Sequence, residues 1–180
     1  MKEYEYTPQK NFTRITGIMI ILIALSAALF LTPIFFEQLP FKGVFQFLSV
    51  LCLVAVVYII ARYVAKTFVY SILRNDDGSL DLTVCELTNG NRRRTTVCRI
   101  SLSGITETCL LYPEKSEDKI REKELSANAR HEHRKCFDYC HDMKASPVCI
   151  ILTEECGEEL FIKISPDEKL FEYLSSSTQS

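Results

Sequence analysis

The chain has 180 residues, 47% of them hydrophobic and 24% charged, with a formal net charge of −2. That apolar content excludes a disordered chain, and the charge balance leaves no positive field of the kind that nucleic acid requires. Residues 15–65 carry only Glu37, Lys42 and Arg62 as charges, which excludes one soluble domain running the full length.

Residues 1–14 read as a short polar tail. Ile15 to Phe36 is then an uncharged run of 22 residues. As a helix it would reach about 33 Å, enough for a hydrocarbon core of about 30 Å. Gly43 to Ala61 is a second such run, closed by Arg62, Tyr63 and Lys66 as interfacial residues would close it. The linker Glu37–Lys42 is short enough to force an antiparallel pair, so residues 15–66 form a transmembrane hairpin with both chain ends on one side. Lys2, Lys10 and Arg14 precede the first run and Arg62, Lys66 and Arg74 follow the second, whereas the linker holds only Lys42. The excess of Lys and Arg puts both termini in the cytoplasm, in a multi-pass cell-membrane protein. A cleaved signal peptide would suit the small residues Ser26-Ala27-Ala28, but the apolar run continues well beyond them.

From Thr67 the pattern changes to strands. Thr67–Arg74 is the first. Asn75–Ser79 is a turn containing the hairpin dipeptide Asp77-Gly78. Leu80, Leu82 and Val84 alternate with Asp81, Thr83 and Cys85 in the second strand, and Asn89-Gly90 marks another hairpin. Thr95–Leu102 is the third strand, expected to set Thr96, Cys98, Ile100 and Leu102 on one face. Ile105–Tyr112 is the fourth. Residues 113–134 are rich in Glu, Lys and Arg and read as a solvated insertion, partly helical around Ser116–Asn128, with helix and disorder both left open for the rest. Three further strands are expected at Cys136–Cys140, Val148–Thr153 and Glu159–Ile164. Ser165-Pro166-Asp167-Glu168 has the features of a helix start, and Leu170, Phe171 and Leu174 supply that helix with an apolar face. Residues 176–180 read as a disordered tail.

The soluble part, residues 67–175, is therefore an α+β domain of about seven strands and a closing helix. This order resembles the pleckstrin-homology superfold, carried here by Phe68–Ile72, Val97–Leu102 with Ile105, and Phe161–Glu168. A two-span hairpin running straight into such a domain is similar to small uncharacterised membrane proteins of Firmicutes. The resemblance implies a β-sandwich or barrel of a four-strand and a three-strand sheet capped by the helix. It also implies a recognition or scaffolding role for lipid headgroups or peptides.

Two constellations carry chemistry. His131, His133, Cys136, Cys140 and His141 bring all three histidines and two thiols close together in sequence. Cys136 and Cys140 have a spacing that zinc accepts, with His131 and His133 completing four ligands. This is the basis of a metal- or thiol-sensor alternative. Against it, no second Cys knuckle is present, and a solvated insertion running into a strand accounts for the same residues. The odd number of cysteines outside the spans suits reduced thiols. Arg92-Arg93-Arg94 is the one basic run, a candidate lipid-facing patch for anionic headgroups. The Asn75–Ser79 turn, by contrast, is acidic and would repel a phosphate. No phosphate loop, dinucleotide turn, metalloprotease or nucleophile-elbow motif occurs. Asp138 with Asp142, and Glu154 with Glu158, read as turn acids. The expectation is a non-enzymatic module without a cofactor. Its partners would be the bilayer and either a protein or anionic headgroups, with no nucleic acid.

Overall fold

A computed structural model describes residues 1–9, 12–36, 41–88, 93–142, 147–155 and 157–178. The chain divides into two compact units, Asn11–Lys66 and a second formed by Met1–Lys10 together with Thr67–Ser180.

The first unit is a pair of helices, α1 (Phe12–Phe35) and α2 (Lys42–Ile59), with α2 continuing into a π-helical turn at Ile60–Val64. Both are long and apolar enough to cross a membrane. Most of their large apolar side chains face outward, although Ile15, Val56 and Ile59 are buried. Ile20, Phe47 and Val57 are each more than 60% exposed, while Ser26 and Ser49 are buried. The Ser26 hydroxyl donates to the Ser49 carbonyl at 3.1 Å and lies 3.0 Å from its hydroxyl. Small polar residues that let two helices approach and bond are what an apolar solvent selects at a helix interface.

The second unit is α+β and holds eight described strands in two sheets of four. The first sheet runs β1-β2-β3-β4, from β1 (Lys2–Tyr6), β2 (Thr67–Arg74), β3 (Leu80–Thr88) and β4 (Arg93–Ser101). All of its pairings are antiparallel. A 3-10 turn, Leu102–Gly104, leads into the second sheet, ordered β5-β7-β8-β6. Its strands are β5 (Ile105–Leu111), β6 (Lys135–Asp138), β7 (Val148–Glu155) and β8 (Glu158–Ile164), with β6 parallel to β8. No barrel closes among the described strands.

Three features differ from the sequence reading. Lys2–Tyr6, expected as part of a tail, is the edge strand of the first sheet, with Tyr4 opposite Ile72 and Tyr6 opposite Tyr70. The Ile105 strand, expected to complete the first sheet, pairs instead with β7, because the tight turn at Leu102–Gly104 redirects the chain away from β4. In β4, Val84 faces Cys98 but Cys85 faces Thr96, leaving Val97 as an extra residue. Such a bulge flips every side chain beyond it. Thr96 is therefore exposed and meets the Cys85 sulfur at 3.7 Å, rather than joining Cys98 and Ile100 on the core face.

The main core lies between the sheets. Tyr70, Ile72, Leu82, Val84 and Ile100 meet Cys149, Ile151, Ile162 and Ile164, with Leu170 and Leu174 of α4 (Glu168–Thr178) completing it. The other face of the second sheet is covered by α3 (Ser116–His131), through a cluster of Leu111, Cys140, Val148, Ile150, Phe161 and Ala129. Burial on both faces explains why Val148–Leu152 is a continuous apolar run. The charged insertion is thus a third layer anchored by Ala129 and Leu125, although Ile120 remains 55% exposed.

Candidate functional site

The Cys/His segment follows α3 into β6. His131 ends α3 and is exposed; His133 follows in a left-handed conformation, φ 58°. Cys136 lies on the edge strand β6, exposed, with its thiol 3.5 Å from the Arg134 carbonyl oxygen that accepts from it. The strand ends at Asp138, whose carboxylate accepts the Cys140 backbone N–H at 2.9 Å. That local turn breaks the alternation that would have set Cys136 and Cys140 on one face. Cys140 goes instead into the cluster beneath α3. Burial, reinforced by the nearby Asp138 charge, pushes its thiol up to about 12. A thiol so held is a poor source of thiolate for metal or redox chemistry. Among the described residues, no group of three or more His, Cys, Asp or Glu is arranged to hold a metal ion. The seven described cysteines are free; Cys156 lies outside the described residues.

Arg92 also lies outside the described residues. Arg93 begins β4 and is exposed. Arg94 reaches across the sheet, donating to the Glu5 carboxylate at 2.9 Å and to the Ser71 hydroxyl at 3.1 Å. One of the three arginines is thus engaged within the domain, and the group it meets belongs to β1. The Asn75–Ser79 turn is ordered by the Asp77 carboxylate, which accepts from the Ser79 N–H at 3.0 Å and its hydroxyl at 2.6 Å. Gly78 takes φ 85° there, a conformation that glycine adopts without a Cβ penalty.

Sequence reasoning missed the set of contacts that holds β1. Arg74 pairs with Glu3 at 2.7 Å, and Lys2 pairs with Glu5. The Tyr4 hydroxyl donates to Asp167, and its ring lies 6.0 Å from that of Tyr173 on α4. Tyr6 stacks on Tyr70 at 6.3 Å. Alternation in Lys-Glu-Tyr-Glu-Tyr, aromatics on one face and acids on the other, was the available signal.

Beside α4, a cavity of about 290 Å³ is lined by Leu110, Tyr112, Pro147, Pro166 and Phe171 together with Asp167, Glu168 and Glu172. Both glutamates are exposed. β5, which carries Leu110, is an edge strand. The opposite seam between the sheets is closed by Tyr139. Its ring meets Phe68 edge-on at 5.4 Å, its hydroxyl donates to the Val97 carbonyl at 3.3 Å, and its own carbonyl accepts from the buried Tyr70 hydroxyl at 2.8 Å.

No protein-family model, curated protein or solved structure matches the chain.

Proposed function

We propose that the chain is a membrane-anchored, non-enzymatic interaction module, a two-span hairpin carrying a pleckstrin-homology-like domain on the cytoplasmic face. The observation that carries the membrane half is the burial pattern of the hairpin, most large apolar side chains outward and the bonded pair Ser26 and Ser49 buried. The Lys/Arg asymmetry supports the cytoplasmic side. The pairing of β1 with β2 supports both flanks of the hairpin lying on one side, since residues before and after it belong to one folded unit. The strand-rich domain and its closing helix support the pleckstrin-homology-like reading, with β1 as an added edge.

For a partner, the cavity beside α4 favours a protein over a headgroup. Its lining combines apolar side chains with the acids Asp167, Glu168 and Glu172, which suits a segment presenting one apolar anchor beside Lys or Arg. The metal- or thiol-sensor alternative has less support, because Cys140 is buried away from the exposed Cys136.

Two measurements test the reading. A cysteine introduced at Gln38 should react with an impermeant thiol reagent in intact cells, and one at Ser177 should not. A photocrosslinker at Tyr112 should capture a discrete protein, and the product should disappear with Glu168→Lys and Glu172→Lys. Labelling at Ser177, or adducts with lipid alone, would refute the topology or the protein partner respectively.

A further inference from the structure

The outer edge of β2 binds a strand, and the strand it binds is supplied from the other end of the membrane hairpin. β1 and β2 are neighbours in one sheet, yet the whole of Asn11–Lys66 lies between them in the chain. Antiparallel hairpins of this kind ordinarily close through a few residues. Here the two strand ends that meet, Tyr6 beside Tyr70 and the start of β2 at Thr67, are the two points at which the chain leaves and rejoins the domain. Only Thr7–Asn11 separates β1 from α1, and only Ala65-Lys66 separates the π-helical turn from β2.

The edge is built to receive this segment. Arg74 and Arg94 meet Glu3 and Glu5. Asp167 accepts from Tyr4, and Tyr4 and Tyr6 pack against the core between the sheets. Each acid and each aromatic of the strand has a side-chain counterpart on β2, β4 or the start of α4, so the fit depends on this sequence and not on backbone pairing alone.

We propose that β1–β2 pairing is a topology lock. The soluble domain completes its first sheet only when the hairpin has crossed the membrane twice and returned both flanks to one side. A chain with a single crossing leaves β1 on one side and the rest of the sheet on the other, with the β2 edge open. This inference rests on the membrane reading above.

The test uses the full chain in its membrane. Glu5 and Ser71 are register partners across the two strands. The double variant Glu5→Cys with Ser71→Cys should therefore form an intramolecular disulfide under mild oxidation, and neither single variant should. Adding Leu51→Lys and Val54→Lys in the middle of α2 should prevent the second crossing, which labelling of Ser177→Cys from outside would report. In that background the disulfide should be lost, and proteolysis of the domain should speed up at least about tenfold as its open form becomes populated. Grafting a copy of Lys2–Tyr6 and a short Gly-Ser turn directly ahead of Thr67 should then restore resistance without restoring the second crossing.

A disulfide that persists across a verified single crossing overturns the lock. So does a graft that fails to restore resistance, because a missing β1 would then not be the defect. Release of the native chain by alkaline carbonate, with the disulfide intact, would remove the membrane reading and the lock together while leaving the strand pairing in place.

Discussion

Tyr4 donates a hydrogen bond to Asp167, 163 residues away, and so ties the strand that precedes both long apolar helices to the helix that closes the domain. Asp167 also accepts the Leu170 backbone N–H at 3.0 Å, capping α4. One carboxylate therefore starts the helix and holds the edge strand against it. Burial, together with the hydrogen bond to Asp167 and its charge, pushes the Tyr4 phenol up to about 12, so it remains a donor across the neutral pH range.

Removing the two halves of this contact should cost different amounts. Tyr4→Phe loses one hydrogen bond to a charged acceptor, about 1.5–3 kcal/mol. Asp167→Ala loses that bond and the helix cap, whose removal costs about 1 kcal/mol more. Thermal or denaturant unfolding of the domain in the full chain should rank Asp167→Ala below Tyr4→Phe. Equal stability of the two variants would mean that the cap contributes nothing.

The closing helix should carry a large share of the stability. Leu170 and Leu174 are both fully buried among core residues from the two sheets. Truncating either to Ala should cost about 2–5 kcal/mol, which is comparable with the whole stability of many domains. Phe171, only partly buried, should cost less. Ending the chain after Pro166 should abolish cooperative unfolding. A truncated chain that melts cooperatively at the native temperature would show that the sheets close without α4.

Glu5 should make the domain acid-sensitive. Burial works to raise its carboxyl pKa, but hydrogen bonds from Lys2 and Arg94 outweigh it and hold the group below its ordinary value of 4.5. A carboxylate whose folded pKa is depressed contributes stability that is present above its unfolded pKa and lost as pH falls through the folded one. Glu5→Gln should therefore lower the melting temperature at pH 7, and the gap between variant and native chain should close below about pH 4. A gap unchanged at pH 3 would mean that Glu5 acts through packing and not through its charge.

The seven strands after the hairpin and the presence of a closing helix were legible because each is a local pattern, whereas the charged insertion was legible as helix only in part. Thr67–Arg74 alternates and Asp77-Gly78 turns; Ser165-Pro166 also marks the approach of a helix, but Ser165 is not its cap, since α4 starts at Glu168 and Asp167 caps it. β1 was not legible as part of the sheet. Lys-Glu-Tyr-Glu-Tyr is short and polar, and its partner Tyr70-Ser71-Ile72 is reached only after two long apolar helices, so no local signal joins them. The bulge at Val97 was hidden for a related reason, since the pattern in Thr95–Leu102 fits an unbroken strand until β3 fixes the register. The candidate sites fared less well than the fold. Cys136 and Cys140 share a face only if β6 continues to Cys140, and a single hydrogen bond from the Cys140 N–H to Asp138 ends it. Arg94 appeared free in sequence because its acceptor, Glu5, belongs to the strand that went unread.

The basic run can now be divided. Arg93 is exposed at the start of β4, whereas Arg94 is bound by Glu5 at 2.9 Å and Ser71. A charge near an anionic surface contributes about 1 kcal/mol, roughly fivefold in binding. Arg94 should contribute less, because the Glu5 carboxylate beside it carries the opposite charge. The comparison calls for a soluble chain that keeps β1, with residues 11–66 replaced by a short Gly-Ser turn; a fragment beginning at Thr67 would lack the strand. On vesicles containing anionic lipid, Arg93→Ala should weaken binding about fivefold at low salt. Arg94→Ala should weaken it less while lowering the melting temperature, since an exposed ion pair contributes up to about 1 kcal/mol to folding. Raising the salt should shrink the Arg93 effect as the Debye length contracts. Equal losses of binding from the two variants would mean that Arg94 leaves Glu5 at the lipid surface. Binding indifferent to both would remove the headgroup reading and leave the protein partner beside α4.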